Sequence, residues 1–329
     1  MLRVCVEFLP PRDLARADVV RLLLQRNIAP MLALRPSENE GEALAALKPY
    51  ADAGLAACAW PLLDDAAGYW PSTGNVALFA ERVHALLDAA ARDGVRLPWM
   101  AVDLEPPLAA VERVRAGAPL SCAADLVTHA RSADGRDRFT AAEQAYAALH
   151  KEMLRRNTRA VAIAWPPAAA DFSAHGAPTD GMQRLCAAPL RCGWDRVAVM
   201  VYGSMIAGYS KGALSVADAR WYGYRALTRL VSAIGQRAGA YVGIVGHGKL
   251  GDEPHYDDPA ELGRDVAAAR AAGVGEIGLF CLEGVLGSRN PEAWLDALVD
   301  GARQAPRFAW RGELLHRSMI AGASALAVL

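Results

Sequence analysis

The chain is short of the features that mark several large functional classes. Its 35 basic and 36 acidic residues leave a formal net charge of -1, and the basic ones are scattered rather than gathered in runs. A nucleic-acid groove or an anionic membrane face needs a local excess of Lys and Arg, so neither is expected as a partner. The closing apolar stretch, "MIAGASALAVL", is too short to cross a bilayer, so no membrane span is expected. The opening "MLRVCVEFLPP" has no cationic segment leading into a long apolar run and reads as a strand rather than a secretory leader. Six cysteines form no CxxC pair, and Cys5, Cys58 and Cys281 sit in strand-like runs where Cys acts as a small hydrophobe. A reducing cytoplasm is the expected setting. No GxxxxGK[ST] is present, and "EFLPPRD" follows the first strand where a dinucleotide site wants a Gly-rich turn. No cofactor is expected, and no His-x-His pair marks a metal site.

What the sequence does contain is alternation. Short apolar runs at 2–8, 29–35, 54–60, 98–105, 159–165, 196–202, 241–247 and 276–283 are separated by Ala/Leu/Arg-rich stretches with apolar residues three and four apart. Several of those stretches end in Gly or Asn, as helix C-termini do. Eight strand–helix units in 329 residues predict a (β/α)8 barrel, an α/β fold, rather than an open doubly wound sheet. No linker divides the chain. One domain over 1–329 is expected, with enlarged loops after strands three and four and a C-terminal helix and apolar tail over about 290–329. Asn290 and Pro291 are placed as N-cap and first helical residue of the last unit.

In such a barrel the chemistry collects at the C-terminal ends of the strands. The last inward residues predicted there are Glu7, Arg35, Trp60, Asp103 with Glu105, Trp165, Tyr202, His247 and Glu283. The pair in "WMAVDLEPP" stands out. Asp103 and Glu105 are two residues apart, so both side chains leave the same face of a strand, roughly 6.5–7 Å apart at Cα. Partly desolvated and mutually repelling, one is expected to keep its proton near neutral pH while the other ionises. A separate salt bridge for each acid is the bland alternative.

"VDLEPP" resembles the strand-four signature of the family 18 glycoside hydrolases, the chitinases and related barrels, which ends in Asp-x-Glu followed by an aromatic and Pro. "VMVYGS" (199–204) resembles that family's strand-six Met-x-Tyr-Asp signature through Met200 and Tyr202, and "GLFCLEG" (278–284) loosely resembles its strand-eight segment. The chain departs from the pattern at Pro98 and Ala101, where the family has further acids, and at Gly203, where it has Asp or Asn. The resemblance implies a glycoside hydrolase that cleaves N-acetylamino-sugar glycosides. Glu105 would protonate the glycosidic oxygen, Asp103 would orient the substrate's 2-acetamido group, and Tyr202 would hydrogen-bond that group. Substrate assistance of this kind is an exception to the two-carboxylate scheme.

Trp60 and Trp165, each followed by Pro, flank strand four and offer ring faces for sugar stacking; capping the barrel core is nearly as good a use for them. Trp70, with Tyr69 in the loop 64–75, is a candidate substrate contact. His247 lies in a Gly-rich segment and is a candidate ligand contact, as are Glu7 and Glu283. His84, His129, His150, His175, His255 and His316 are expected on the solvated surface. A carbohydrate or another small molecule is the expected ligand. Two other functions fit the same residues: a metal-dependent sugar isomerase or epimerase, and a carbohydrate-binding barrel without activity.

Overall fold

The computed structural model describes residues 1–36, 40–115, 127, 128, 130–174 and 178–328. Cys122, His129 and His175 lie outside the described residues. The eight strands are β1 (Leu2–Val6), β2 (Ile28–Leu34), β3 (Cys58–Pro61), β4 (Trp99–Leu104), β5 (Arg159–Ala164), β6 (Arg196–Met200), β7 (Ala238–Gly243) and β8 (Glu276–Phe280). They pair in parallel and in sequence order, and β1 pairs with β8 to close the ring. This is the (β/α)8 barrel.

Strand parity divides the core into two layers. On β4, Met100, Val102 and Leu104 face the helices, while Trp99 and Ala101 face the interior. The same alternation sends Cys5, Met31, Cys58, Val161, Ile163, Ala198, Met200 and Tyr241 inward. Sizes are matched across the interior: a Cβ on Gly278 would lie 2.3 Å from the Tyr241 ring, so only glycine leaves that ring its place. Ala160, Ala162 and Ala164 on β5 face outward, where small side chains let helices pack close.

The floor of the barrel is polar. Arg3 and Glu276, both fully buried, pair at 3.1 Å, and Tyr241 Oη donates to Glu276 Oε1 at 3.0 Å. Arg3 also bonds the Ala56 carbonyl and lies over the Trp99 ring at 5.0 Å. None of these floor contacts is visible as a local pattern, because the partners are 35 to 273 positions apart.

Two histidines expected at the surface are buried instead. His150 Nε2 meets Asp195 Oδ2 at 2.9 Å, and that same oxygen accepts from the Ala160 N–H. His316 is 4% exposed on the C-terminal helix Trp310–Val328. That helix docks through Ala323 and Leu326 on Ala170 and Met182, and a Cβ on Gly181 would lie 2.5 Å from Leu326 Cβ. The five described cysteines are free and buried. Among the described residues no helix is long and apolar enough to cross a membrane.

Candidate functional site

The mouth of the barrel gathers acids. Asp103 follows Trp99 and Ala101 in parity, so it points inward at the top of β4, and it is 4% exposed. Glu105, 9% exposed, lies one residue past the strand end, where its backbone N–H donates to the Pro71 carbonyl. The β4–β5 register sets Leu104 against Ala164, which brings Trp165 beside Glu105. Its indole Nε1 donates to Glu105 Oε2 at 2.5 Å. On the other flank, the Trp60 indole lies against Asp103 and favours its ionised form without closing a full hydrogen bond. Trp60 Nε1 and Asp103 Oδ1 are both buried without a partner.

Glu7 completes the acid group. Tyr69 Oη donates to its Oε1 at 2.7 Å. Tyr69 reaches it from the loop after β3, which turns back at Gly68 and Tyr69, with φ of 106° and 64°. A left-handed tyrosine costs on the order of 1–3 kcal/mol and persists only where contacts enforce it. Here the bond to Glu7, an edge-on contact with Trp70 at 5.0 Å, and Lys249 over the ring at 4.4 Å do so.

These acids bind protons tightly. Burial pushes Glu7 up to about 8, opposed by the Tyr69 bond and reinforced by Glu283, Glu105 and Glu253. Burial also lifts Glu105 to about 7, with the Trp165 N–H pulling the other way. Asp103 is raised well above the carboxylate range, by burial first and then by the charges of Glu105 and Glu7. Desolvation is the leading cause for both acids.

Trp60, Trp70, Trp165 and Tyr202 share one apolar cluster that lines the interior and mouth. Trp70 is only 6% exposed, so its ring packs inside the loop rather than standing free in solvent. Tyr202 follows β6, its ring 5.8 Å from Phe280, and its hydroxyl is raised by burial and then by Cys5, Asp103, Glu105 and Glu7. Ser204 ties this turn to β7, donating to the Gly243 carbonyl and accepting from the Ile244 N–H.

Two predicted residues lie off this arrangement. β7 ends at Gly243, so His247 is four residues into a loop; it is exposed, with its ring against His255 at 4.6 Å. β8 ends at Phe280, and Glu283 falls in the short helix Leu282–Gly287. There it acts on the backbone: its Oε1 accepts from the N–H groups of Glu7 and Phe8, fixing the end of β1. Arg35 lies over the Phe8 ring at 5.0 Å.

Sequence reading missed two contributors. Tyr69 is expected as a loop contact to substrate rather than as the partner of Glu7, and Glu253 is not singled out at all. Glu253 is 4% exposed; its Oε1 accepts from the Leu250 N–H while Oε2 has no partner. A signal existed for Tyr69, since Gly68 before it marks a turn, but none for Glu253 in its loop. Among the described residues no three His, Cys, Asp or Glu side chains converge in a metal-ligating geometry.

No family model matches the chain, and no curated protein matches it. Among solved structures it is similar to the PgaB (BpsB) glycoside hydrolase domain from Bordetella bronchiseptica. That match has 13% identity and a TM-score of 0.51, over 92% of this chain and 99% of the other. It is also similar to the catalytic domain of a chitinase from Pyrococcus furiosus, at 12% identity and TM-score 0.46, over 98% and 95% of the two chains. An L-ribulose 3-epimerase matches at 11% identity and TM-score 0.41, over 100% and 97%. At these identities the likeness speaks to the barrel fold alone.

Proposed function

We propose that the chain is a glycoside hydrolase acting on N-acetylamino-sugar glycosides, with Glu105 as its general acid. The observation that carries this reading is the environment of Glu105. It is buried beside Asp103, held by the Trp165 indole, and lifted to about 7, where a carboxyl can give up a proton at neutral pH. In this reading Glu105 protonates the leaving glycosidic oxygen as the C1–O bond breaks. The substrate's own acetamido oxygen closes onto C1. Asp103 Oδ1, which lacks a partner, accepts the acetamido N–H, and Tyr202 hydrogen-bonds the same group. Water then opens the cyclic intermediate with Glu105 as base. Trp60 and Trp165 supply the apolar wall, with Trp70 packed behind them in the same cluster. Glu7 and Glu283 support the site from the end of β1, and His247 is kept as an outer contact.

The test is turnover of N-acetylglucosamine oligomers by purified protein. Glu105→Gln lowers the rate about 10²–10⁴-fold while oligomer binding persists. The rate falls as pH rises through about 7, because Glu105 must be protonated to act. Oligomers without the acetamido group are not cleaved. Full activity in the Gln variant, or loss of activity on chelation, overturns the reading in favour of a metal-dependent sugar isomerase. Binding without turnover in the unmodified protein points to a binding barrel.

A further inference from the structure

The strongest unassigned feature is a surface patch where the chain enters its C-terminal helix. Phe308, Trp310 and Leu314 are 67%, 61% and 57% exposed, more than any other large apolar side chain described. They fall within seven residues, and the helix that carries Trp310 and Leu314 is anchored at its far end by Ala323 and Leu326. The patch is therefore held in place rather than frayed. Large exposed apolar groups gathered in one place mark an interaction surface.

Basic side chains outnumber acidic ones along this stretch, with Arg311 facing Asp218 and Arg317 paired with Glu313. Residues 301–329 contain four arginines, Arg303, Arg307, Arg311 and Arg317, and all four are exposed. The same stretch contains one acid, Glu313, which is 8% exposed and turned inward. Glu313 accepts from Trp221 Nε1 at 3.1 Å and pairs with Arg225 and Arg317. Among the described residues Arg303 and Arg307 make no ion pair. The near-neutral total charge of the chain hides this local excess.

We propose that this face is a peripheral docking site for an anionic lipid surface. Trp, Phe and Leu at the level of the headgroups, flanked by arginines, are the chemistry of interfacial binding. Two other occupants fit less well. A sugar ring needs an open aromatic face, but Arg311 lies over the Trp310 ring at 5.2 Å, and Phe308 meets Trp221 edge-on at 5.2 Å. A second copy of the chain would set four arginines against four.

The experiment is co-sedimentation of the full chain with vesicles, comparing pure phosphatidylcholine with vesicles rich in phosphatidylglycerol. Binding is expected on the anionic vesicles only, weakening as salt is added. Arg303→Gln and Arg307→Gln should each lower the partition coefficient about fivefold. Trp310→Ser with Leu314→Ser should abolish binding at salt concentrations where the arginine variants still bind. Both arginines are exposed and unpaired, so their variants should melt as the parent does and keep the comparison clean. Equal partition onto both vesicle types, or arginine variants that bind like the parent, would overturn the proposal. So would a solution dimer that the Trp310 variant dissolves, or tighter retention on a soluble anionic polysaccharide than on vesicles.

Discussion

At the scale of single residues, the barrel mouth holds carboxyl groups whose hold on the proton is strengthened by burial. For Glu7 the consequence for stability has a definite sign. Its carboxyl titrates near 8 when folded and near the ordinary 4.5 when unfolded. Between those values the folded chain holds more protons, so stability falls as pH rises through that window. Glu7→Gln removes the dependence and still lets Tyr69 donate to the amide oxygen. The variant is expected to be more stable than the parent at pH 8, by about 1–3 kcal/mol, with the gap closing toward pH 4.5. Thermal melts across that range check it; a variant less stable than the parent at pH 8 would show that the Glu7 charge is favourable. Asp103 and Glu105 were legible in the sequence because one strand carries both at period two. The bond from Tyr69 to Glu7 and the place of Glu253 were not, because they depend on how loops turn back over the mouth, and a loop has no period.

At the scale of elements, strand order and number were readable, while strand ends were not always so. The inward parity of β3 to β6 turns Trp60, Asp103, Trp165 and Tyr202 toward the interior and mouth. Parity failed where the strand stopped early, since Gly243 ends β7 well before His247 and Phe280 ends β8 before Glu283. Apolar residues and glycines run on past both stops, so composition alone shows no boundary. The C-terminal helix supplies a second pH effect of opposite sign. Burial, with Arg225 next, lowers His316 to about 4. Below its ordinary value of 6.5 the unfolded chain takes up a proton that the folded one refuses, so stability is lost as pH falls from 6.5 toward 4. Replacing His316 with Asn should flatten that acid limb, by about 1–2 kcal/mol at pH 4. Denaturant midpoints at pH 7 and pH 4 give the comparison, and an unchanged acid limb would place the loss elsewhere.

At the scale of the whole molecule, one ion pair joins opposite ends of the chain. Arg3 on β1 and Glu276 on β8 meet on the barrel floor with no solvent access. A buried pair contributes little net stability against a well-packed apolar substitute, but breaking it from one side leaves a charge stranded. Arg3→Met leaves Glu276 paired with Arg196, at 3.4 Å, so the cost should lie at the lower end of about 3–5 kcal/mol, and the added change Glu276→Gln should recover part of that. Urea unfolding of the single and double variants measures both numbers, and equal losses in the two would mean that the charge left behind is not what matters. The same closure governs the order of events when the chain is made. β1 lies between β2 and β8, and its pairing of Leu2 with Ile277 spans most of the sequence. Until β8 exists, the growing chain carries one unpaired strand edge on β1 and a second on whichever strand was made last. Such edges invite pairing with other chains. Late, long-range closure is also slow. The ring that hides every edge once finished is thus the feature that leaves its nascent form most dependent on protection from its neighbours.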